Sequence, residues 1–419
     1  MDFTPSARSA DLAARVRAFV DSEILPVEEQ VHADIARRRL SGEDSWAVSP
    51  VLADLTAKAR AQGLWNLFLP AGHSGDYPAR FGTDGGEGLS NVDYAPVAEQ
   101  MGRSFLAPLV MNCNAPDSGN MEVLLKYGTP EQQQEWLEPL LDGRIRSAFC
   151  MTEPGVASSD ATNMAATAVL DGDEVVLNGR KWWSTGVGHP DCRILVFMGL
   201  TDPEADRHAR HTMVLVPRDT PGVTVERMLT AMGEYDEPLG HGEVSFTDVR
   251  VPASNILLGP GRAFEIAQGR LGPGRIHHCM RLIGLSERAL EMAAQRGTAR
   301  TAFGKPLINL GGNRERLADA RIAINQARLL VLHAAWLVDQ GLSLEAVSAV
   351  SEIKVAVPNM AQQVIDFAMQ IHGGGGVSND FVLAGAWAAA RSLRLADGPD
   401  EVHRGVVARL ELLKHKDAR

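Results

Sequence analysis

The sequence predicts an α+β fold that is mostly α, with an N-terminal α-helical domain, a middle antiparallel β-barrel or sandwich and a C-terminal α-helical bundle. Three observations predict it. Apolar residues recur at helical spacing near the start, a series of short apolar runs separated by turn dipeptides follows, and long helical periods then return. We place the domains at 1–145, 146–255 and 256–419.

The N-terminal domain begins with a predicted amphipathic helix. Four apolar residues at i, i+4, i+7 and i+8 would form its buried face: Leu12, Val16, Phe19 and Val20. A later helix is expected at Pro130, because Thr129 can act as N-cap and Gln132 can close a capping box. The stretch from Gly72 to Ser90 is rich in Gly, Asp and Pro and is typical of a long loop.

The middle domain is predicted from short runs rich in β-branched residues. The predicted strands are Ala165–Leu170, Glu174–Leu177, Arg180–Ser184, Ile194–Leu200, Thr212–Val216, Val223–Leu229 and Glu243–Val251. Asp171-Gly172 and Asn178-Gly179 each suit a tight hairpin because these residues tolerate positive φ. Seven short strands in about a hundred residues favour a small antiparallel sandwich or barrel.

The C-terminal domain is predicted from three long helical periods, followed by a shorter pair of helices. The long helices are Ile276–Arg296, Arg314–Gln340 and Leu344–Ile371. Helices of this length favour an antiparallel bundle.

Composition excludes several classes of protein. The chain of 419 residues has 41 Lys and Arg against 52 Asp and Glu, a formal net charge of -11, so bulk electrostatics do not favour nucleic acid. Its four cysteines are scattered without CxxC spacing, which argues against a disulfide framework or a thiolate metal site. The start lacks an apolar signal core and no run reaches the length of a membrane span. We expect a cytoplasmic protein with no metal site and no membrane insertion.

Common catalytic motifs are missing from the sequence. It has no GxGxxG between a strand and a helix, no GxxxxGK[ST], no HExxH and no GxSxG. The usual dinucleotide, nucleoside-triphosphate, zinc-protease and hydrolase interpretations therefore have no support.

Four segments resemble the acyl-CoA dehydrogenase family of flavoproteins, in the family's order and along essentially the whole chain. They are FCMTEPGVASS at 149–159, KWWST at 181–185, RTAFGKP at 300–306, and QIHGGGGV at 370–377 with ADGPDEVHR at 396–404. Details such as VASSDATN, WWS and RLGPGRIHH are similar to the subgroup of acyl-CoA dehydrogenase family members ten and eleven. The resemblance implies the same three-domain fold and FAD as cofactor.

The resemblance implies that Asp397 is the catalytic base. Family enzymes remove an α-proton and a β-hydride from a fatty acyl thioester, and alignment of ADGPDEVHR with the family's YEG motif brings Asp397 to the base position. The alternative family position, before the helix arginine Arg275, is Gly274, which has no carboxylate. Local sequence leaves another interpretation open, in which Asp397 caps the C-terminal helix beginning near Asp400.

The resemblance also implies substrate-side residues. Ala396 takes the position of a family Tyr, which leaves room for a branched or bulky acyl group. Arg275 corresponds to the arginine facing the acyl-CoA channel, and Gly398 would approach the acyl chain. Ser159 is assigned to the thioester side, although the extra residue in VASSD leaves Ser158 as the alternative. His277 and His278 could have a paired catalytic role or could simply pack or face solvent.

The flavin contacts implied by the resemblance form two groups. On the middle domain they are Phe149, Met151, Thr152, Ser158, Ser159, Trp183, Ser184 and Thr185. Backbone amides and the Thr152 hydroxyl would contact the ring system, where flavin accepts charge on reduction. Trp183 rather than Trp182 would flank the ring, since neighbouring strand residues point to opposite faces. Without the resemblance, FCMT would be interpreted as a core strand.

The second group would reach FAD across a subunit interface or near the base. It comprises Arg300, Phe303, Gln370, Gly373, Gly374, Pro399 and Glu401. Arg300 suits a pyrophosphate because its planar fork donates in pairs, and the glycines allow close backbone approach. The alternatives are a solvated arginine at a helix end and a plain turn between helices. A shared flavin site implies a homodimer or homotetramer.

We therefore expect an acyl-CoA dehydrogenase of fatty acid metabolism and β-oxidation, an oxidoreductase acting on CH–CH donors that forms a trans-2-enoyl-CoA. By resemblance, electron-transfer flavoprotein would reoxidise the flavin. Two alternatives remain open: an oxygen-using acyl-CoA oxidase or flavin monooxygenase on the same fold, and a non-catalytic acyl-CoA-binding protein.

Overall fold

The computed structural model describes residues 2–70, 88–341 and 343–415, with the side chains of 271–273 left aside. The predicted loop from Gly72 to Ser90 lies outside the described residues except for its last three. The chain forms two compact units. Unit 1 is Met1–Leu25, Leu89–Ala107 and Arg275–Arg419, and unit 2 is Pro26–Gly88 and Pro108–Gly274. The two predicted boundaries between the three domains stay predictions, because the two compact units divide the chain at other residues.

Unit 1 is helical. Its helices are α1 (Ala7–Phe19), α4 (Asn91–Met101), the greater part of α9 (Ala263–Ala299), α10 (Asn313–Gln340), α11 (Leu344–His372), α12 (Leu383–Ser392) and α13 (Asp400–Lys414). The predicted apolar face of α1 is confirmed, since Leu12, Val16, Phe19 and the following Val20 are all buried. The three long predicted helices are confirmed, with α9 beginning earlier than its apolar period indicates. The central α11 packs against α10, α12 and α13.

Unit 2 combines short helices with a sheet. In its described residues the α-helices are α2 (Leu25–Ser41, which begins in unit 1), α3 (Pro50–Ala61), α5 (Leu106–Val110, which begins in unit 1), α6 (Asp117–Tyr127), α7 (Pro130–Gln132) and α8 (Glu138–Leu141). The predicted capping box is confirmed at α7, because the Thr129 hydroxyl accepts from the Gln132 amide while the Gln132 side chain accepts from the Thr129 amide. Because a capping box involves only four consecutive residues, this helix start can be predicted from the sequence.

Within the described residues, unit 2 holds a curled seven-stranded sheet in the order β1-β4-β2-β3-β7-β6, with β5 paired to β4. The strands are β1 (Arg146–Cys150), β2 (Thr167–Asp171), β3 (Glu174–Thr185), β4 (Cys192–Leu200), β5 (His211–Pro217), β6 (Val223–Leu229) and β7 (His241–Pro252). Their inward residues form one apolar core that includes Phe197 and Phe246, whose ring centroids are 4.6 Å apart.

The expectation of a wholly antiparallel sheet is wrong at two pairings. β1 runs parallel to β4, and β2 meets β4 in parallel at Thr167 and Leu200. The remaining pairs, including the hairpin between β2 and β3 after Asp171, are antiparallel. The alternation of apolar residues reports which face of a strand is buried and carries no information on strand direction, so the sequence pattern could not show the difference.

The predicted hairpin at Asn178-Gly179 is also wrong. Residues 174–185 form one strand, with a register shift against β7 between Leu177 and Gly179. The Asn178 side chain bonds across to Asp248, donating to Oδ1 at 3.1 Å and accepting from its amide at 2.8 Å. Gly179 has φ of +141° and lies so close to Ala166 that a Cβ would stand 2.4 Å from the Ala166 Cβ. The dipeptide therefore serves a β-bulge, which needs the same backbone freedom as a hairpin turn.

No helix in the described part of the chain is both long and apolar enough to cross a membrane.

Candidate active site

A buried ion pair organises the loop that follows β1. The Lys181 Nζ on β3 donates to Glu153 Oε1 at 2.7 Å and to the Met151 carbonyl at 3.0 Å. The Lys181 side chain is 0% and the Glu153 side chain 5% exposed. The Glu153 carboxylate also accepts from the amides of Ala165 and Ala166 at 2.9 and 3.0 Å. One carboxylate therefore holds both ends of loop 151–166, and burial lowers the pKa of Lys181 while Glu153 opposes that shift.

In loop 151–166, the backbone carbonyls of Met151 and Thr152 accept hydrogen bonds from β3, and the amides of the same two residues can donate to a ligand. The carbonyl of Met151 accepts from Lys181, and that of Thr152 accepts from the Trp182 amide at 2.9 Å. Among the described residues nothing accepts from the amides of Met151 and Thr152, and both residues are partly exposed. Two adjacent backbone donors near the surface are suited to an acceptor-rich ligand.

The two candidate serines differ in their surroundings. The Ser158 hydroxyl accepts from the Glu153 amide at 2.9 Å and lies 3.3 Å from the Val156 carbonyl, so it is engaged within the loop. Ser159 is exposed. The predicted contact Phe149 lies nearby on β1, with the Arg270 guanidinium 4.0 Å above its ring.

The end of β3 presents an aromatic ring and a hydroxyl. Trp183 has a left-handed φ of +52° and is 40% exposed, while Ser184 is buried. The Thr185 Oγ1 lies 2.9 Å from His241 Nδ1 on β7, and the His241 ring packs on Trp183 with 5.5 Å between centroids. Since Ser184 points into unit 2, any ligand contact from it would use its backbone. Burial lowers the pKa of His241.

These features fit an isoalloxazine ring. Such a ring needs a flat apolar partner and donors for its nitrogen and oxygen acceptors. The exposed Trp183 indole can supply the first, and the amides of Met151 and Thr152 with the Thr185 hydroxyl can supply the second. The donor set of unit 2 is therefore chemically suited to a flavin.

The turn between α12 and α13 carries the candidate base. Asp397 has φ of +56° and Gly398 of +105°, and the N-cap of α13 is Pro399, with no side-chain capping bond. The helix-cap interpretation of Asp397 is therefore wrong. A left-handed aspartate beside a left-handed glycine is an uncommon backbone that tertiary contacts must support.

Two side chains hold the backbone of this turn. Arg275 Nε donates to the Asp397 carbonyl at 2.9 Å, and His403 Nε2 lies 3.2 Å from the same oxygen. The Asp397 carboxylate faces His278, whose Nε2 lies 3.6 Å from Oδ2, and the two side chains are 18% and 21% exposed. Asp397 is thus fixed through its carbonyl while its carboxylate remains partly accessible.

Behind the turn, buried polar groups anchor both flanking helices. The Lys354 ammonium on α11 donates to the Leu393 carbonyl, and Asp400 accepts from Asn359 at 3.1 Å and Arg394 at 2.9 Å. Burial lowers the pKa of Lys354. These contacts explain how the turn keeps its strained backbone.

The adjacent histidines have different roles. His277 is buried, lies edge-to-face against Tyr94 at 4.9 Å, and burial lowers its pKa to about 3. The packing alternative is therefore confirmed for His277. His278 instead lies beside Asp397, one residue further around α9.

The remaining predicted contacts occupy surface positions. Phe303 lies in a hairpin between Thr301–Ala302 and Lys305–Pro306 and is 95% exposed. Gly373 has φ of +61° at the end of α11, and a Cβ added at Gly374 would meet open space. Four other predicted site residues are also exposed: Arg300, Gln370, Ala396 and Glu401. An aromatic ring so fully exposed is unusual in an isolated chain.

Sequence reasoning missed the supporting residues. Glu153 lies in the segment FCMTEPGVASS and Lys181 in the segment KWWST. A charged residue within a predicted strand is a signal in the sequence that could have indicated a buried ion pair. His241 carries no local signal, because it meets Thr185 only through strand pairing.

Comparison with known proteins agrees with this geometry. Three family models match: the acyl-CoA dehydrogenase N-terminal domain over residues 6–144, the middle domain over 148–249 and the C-terminal domain over 261–412. The chain belongs to the acyl-CoA dehydrogenase family. Membership of this family places the chain among the oxidoreductases.

Individual relatives agree with the predicted subgroup. The chain is 53% identical to mouse acyl-CoA dehydrogenase family member 10 over 94% of its length and 36% of the relative's. It is 50% identical to chicken acyl-CoA dehydrogenase family member 11 over 98% of its length and 51% of the relative's. It thus spans between about a third and a half of these curated relatives. The structure of a putative acyl-CoA dehydrogenase from Mycobacterium abscessus is 69% identical, with a TM-score of 0.93 over 98% of this chain and 100% of that one.

Proposed function

We propose that the chain oxidises an acyl-CoA thioester to a trans-2-enoyl-CoA, with Asp397 as the base that takes the α-proton. The observation that carries the proposal is the Asp397 turn, where a partly accessible carboxylate stands on a backbone held by Arg275 and His403. A strained, externally supported turn is typical of a functional position. We propose FAD as the cofactor, which would supply the acceptor for the β-hydride.

The geometry of the turn suits a short base. Aspartate is one methylene shorter than the glutamate usual in the family, and proton transfer requires hydrogen-bond reach. The positive φ of Asp397 and the absence of a side chain at Gly398 support close approach of the turn to the thioester. Arg275, whose Nε is bound to the Asp397 carbonyl, would couple the substrate channel to the base.

On unit 2, the proposed flavin contacts are the amides of Met151 and Thr152, the Trp183 ring and the Thr185 hydroxyl. Phe149 and the backbone at Ser184 would complete that surface. The engagement of Ser158 within its loop supports Ser159 as the hydroxyl on the thioester side, because Ser159 is the exposed one.

We also propose a homodimer or homotetramer in which the neighbouring subunit completes the FAD site. The full exposure of Phe303 and the open backbone at Gly373 and Gly374 support it, since these groups need a partner to become buried. Arg300, Gln370, Pro399 and Glu401 are the other proposed contacts.

The physiological assignment rests on the family. We propose a role in fatty acid metabolism and β-oxidation, with electron-transfer flavoprotein as acceptor. An Acidaminococcus fermentans electron transferring flavoprotein structure is 25% identical with a TM-score of 0.78, covering 98% of this chain and 100% of that one. The exposed Ala396 beside the base supports an acyl group bulkier than a straight short chain.

Asp397→Asn tests the proposal. The variant should retain FAD and lose roughly 10²-fold or more in turnover, because the amide cannot accept the α-proton. The measurement is anaerobic bleaching of the bound flavin by a panel of straight and branched acyl-CoAs. Asp319→Asn, at an exposed position of α10, is the matched control and should bleach at the native rate.

Other outcomes would identify the alternatives. Full activity of Asp397→Asn would reject the base assignment. Rapid peroxide formation on mixing the reduced protein with oxygen would favour an oxidase or monooxygenase. A native flavin that no acyl-CoA bleaches would favour a non-catalytic acyl-CoA-binding protein.

A further inference from the structure

The imidazole of His403 is buried against the turn that carries the proposed base. His403 lies near the start of α13 and is 2% exposed. Its Nε2 lies 3.2 Å from the Asp397 carbonyl oxygen. A Cβ added at Gly398 would stand 2.9 Å from the same nitrogen and 3.5 and 3.6 Å from the two neighbouring ring carbons. One edge of the ring therefore contacts both residues of the turn that have a left-handed backbone.

The contact with the carbonyl determines the tautomer of His403. A backbone carbonyl only accepts, so Nε2 must carry a hydrogen. Within the described residues nothing bonds to Nδ1, and this atom is buried. Burial, together with the cations of Arg275 and Lys354, lowers the pKa of His403 to about 4. The side chain is therefore a neutral imidazole near neutral pH, with its single N–H directed at Asp397.

The bare Nδ1 indicates what fixes the orientation of this ring. A buried acceptor without a partner costs stability. The ring is therefore not oriented to satisfy its own hydrogen bonds, and the contact with the Asp397 carbonyl explains its orientation. A local loss of stability that supports a particular geometry is expected at a functional site.

The helix that carries His403 is itself anchored. Asp400, at the start of α13, is 3% exposed. Its carboxylate accepts from Asn359 on α11 at 3.1 Å and from Arg394 at 2.9 Å. A donor on a fixed helix is placed more precisely than a donor on a loop.

The two donors to the Asp397 carbonyl differ in charge. Arg275 donates from α9 at 2.9 Å, and its proposed role also includes the substrate channel. His403 donates from α13 and is neutral. Loss of Arg275 would change the position of the turn, its electrostatics and substrate binding together. Loss of His403 would change the position of the turn while leaving the charge around it unaltered.

We infer that His403 is a positioning residue for the base. Its Nε2–H holds the Asp397 carbonyl and so keeps the turn in the conformation from which Asp397 can take the α-proton. This inference rests on the proposed role of Asp397. Proton transfer requires hydrogen-bond reach, and small misplacements of a reacting group are costly.

The test compares two variants of the FAD-loaded protein: His403→Leu, which has no donor, and His403→Gln, whose side-chain amide keeps one. We expect His403→Leu to lower kcat about tenfold with little change in KM. The primary isotope effect of an α-deuterated acyl-CoA should increase, because removal of the α-proton becomes slower relative to the other steps. His403→Gln should recover most of kcat and bring the isotope effect back towards its native value.

Asn255→Leu is the matched control. Asn255, on the short turn Ala253–Asn255, donates to the Leu215 carbonyl at 2.8 Å, so this variant also loses a side-chain donor to a backbone oxygen. It should lower Tm and leave both kcat and the isotope effect unchanged. In His403→Leu the Tm should stay near the native value, because the variant also removes a buried unpaired acceptor and Arg275 still bonds the Asp397 carbonyl.

Three outcomes would overturn the inference. They are a native kcat and isotope effect in His403→Leu, a His403→Gln variant no better than His403→Leu, and loss of folding or of FAD binding in His403→Leu, which would indicate a structural role. Failure of the proposed function is seen separately, because Asp397→Asn would then keep full activity. If Asp397 is the base, adding His403→Leu to Asp397→Asn should not lower the residual rate further, and a further loss would show that His403 acts elsewhere.

Discussion

The strand end Lys181–Thr185 and the turn Ala396–Glu401 carry their proposed functions in contrasting ways. In the strand segment, the charged group is fully buried and paired, and it holds the backbone of the neighbouring loop. In the turn, the backbone is held by side chains from other helices, and the charged group itself remains partly accessible. The first arrangement presents a fixed surface of amides and rings, and the second presents a reactive side chain.

From this difference we expect that disturbing the Glu153 carboxylate and disturbing the Asp397 carboxylate will affect different properties of the protein. Glu153 is buried to hold structure, so removing its partner should affect folding first. Asp397 is partly exposed for chemistry, so changing it should affect turnover first. The predictions below are ordered by expected effect.

Lys181→Met should have the largest effect on stability. It leaves the Glu153 carboxylate buried without its cation, which costs about 3–5 kcal/mol of unfolding free energy. Urea denaturation of the FAD-loaded protein measures it, with the exposed Lys58→Met on α3 as control. If Lys181→Met loses less than about 1 kcal/mol of unfolding free energy, the structural role of the Lys181–Glu153 pair is contradicted. An equal loss of unfolding free energy in Asp397→Asn would contradict the difference between the two regions.

Gly398→Ala should damage the turn without damaging the sheet. The position has φ of +105°, and an added Cβ would lie 2.9 Å from His403 Nε2. Strain of this kind costs about 1–3 kcal/mol, and displacement of Asp397 should lower kcat by about tenfold or more. Gly405→Ala, on the open face of α13, is the control and should leave kcat unchanged. Native kcat in Gly398→Ala would show that the turn tolerates movement.

His241→Leu should have the smallest effect, confined to the flavin surface. It removes the partner of the Thr185 hydroxyl, a contact worth about 1 kcal/mol, so the Kd for FAD should rise about fivefold. Flavin fluorescence quenching measures the Kd. Thr185→Val should produce a similar rise, and the double variant should add little to either. Additive losses would indicate that the two side chains act separately.

Sequence reasoning succeeded where the signal is local or is carried by a motif. The apolar face around Val16 follows from helical periodicity, and the Thr129 capping box is written in four residues. The same reasoning failed at Asn178-Gly179, where a bulge and a hairpin make the same demand on the backbone. It also could not distinguish His277 from His278, since adjacent helix residues differ only in the neighbours that they face.

The sequence by itself determined the succession of helical, β and helical regions, the family and the candidate base, because periodicity and motifs are properties of neighbouring residues. Only the tertiary structure decided that β1 runs parallel to β4, that Lys181 neutralises Glu153, and that Asp397 faces His278. The physical reason is that strand direction, ion pairing and the side chains that face Asp397 depend on groups far apart in the chain. Those groups meet only when the core has packed.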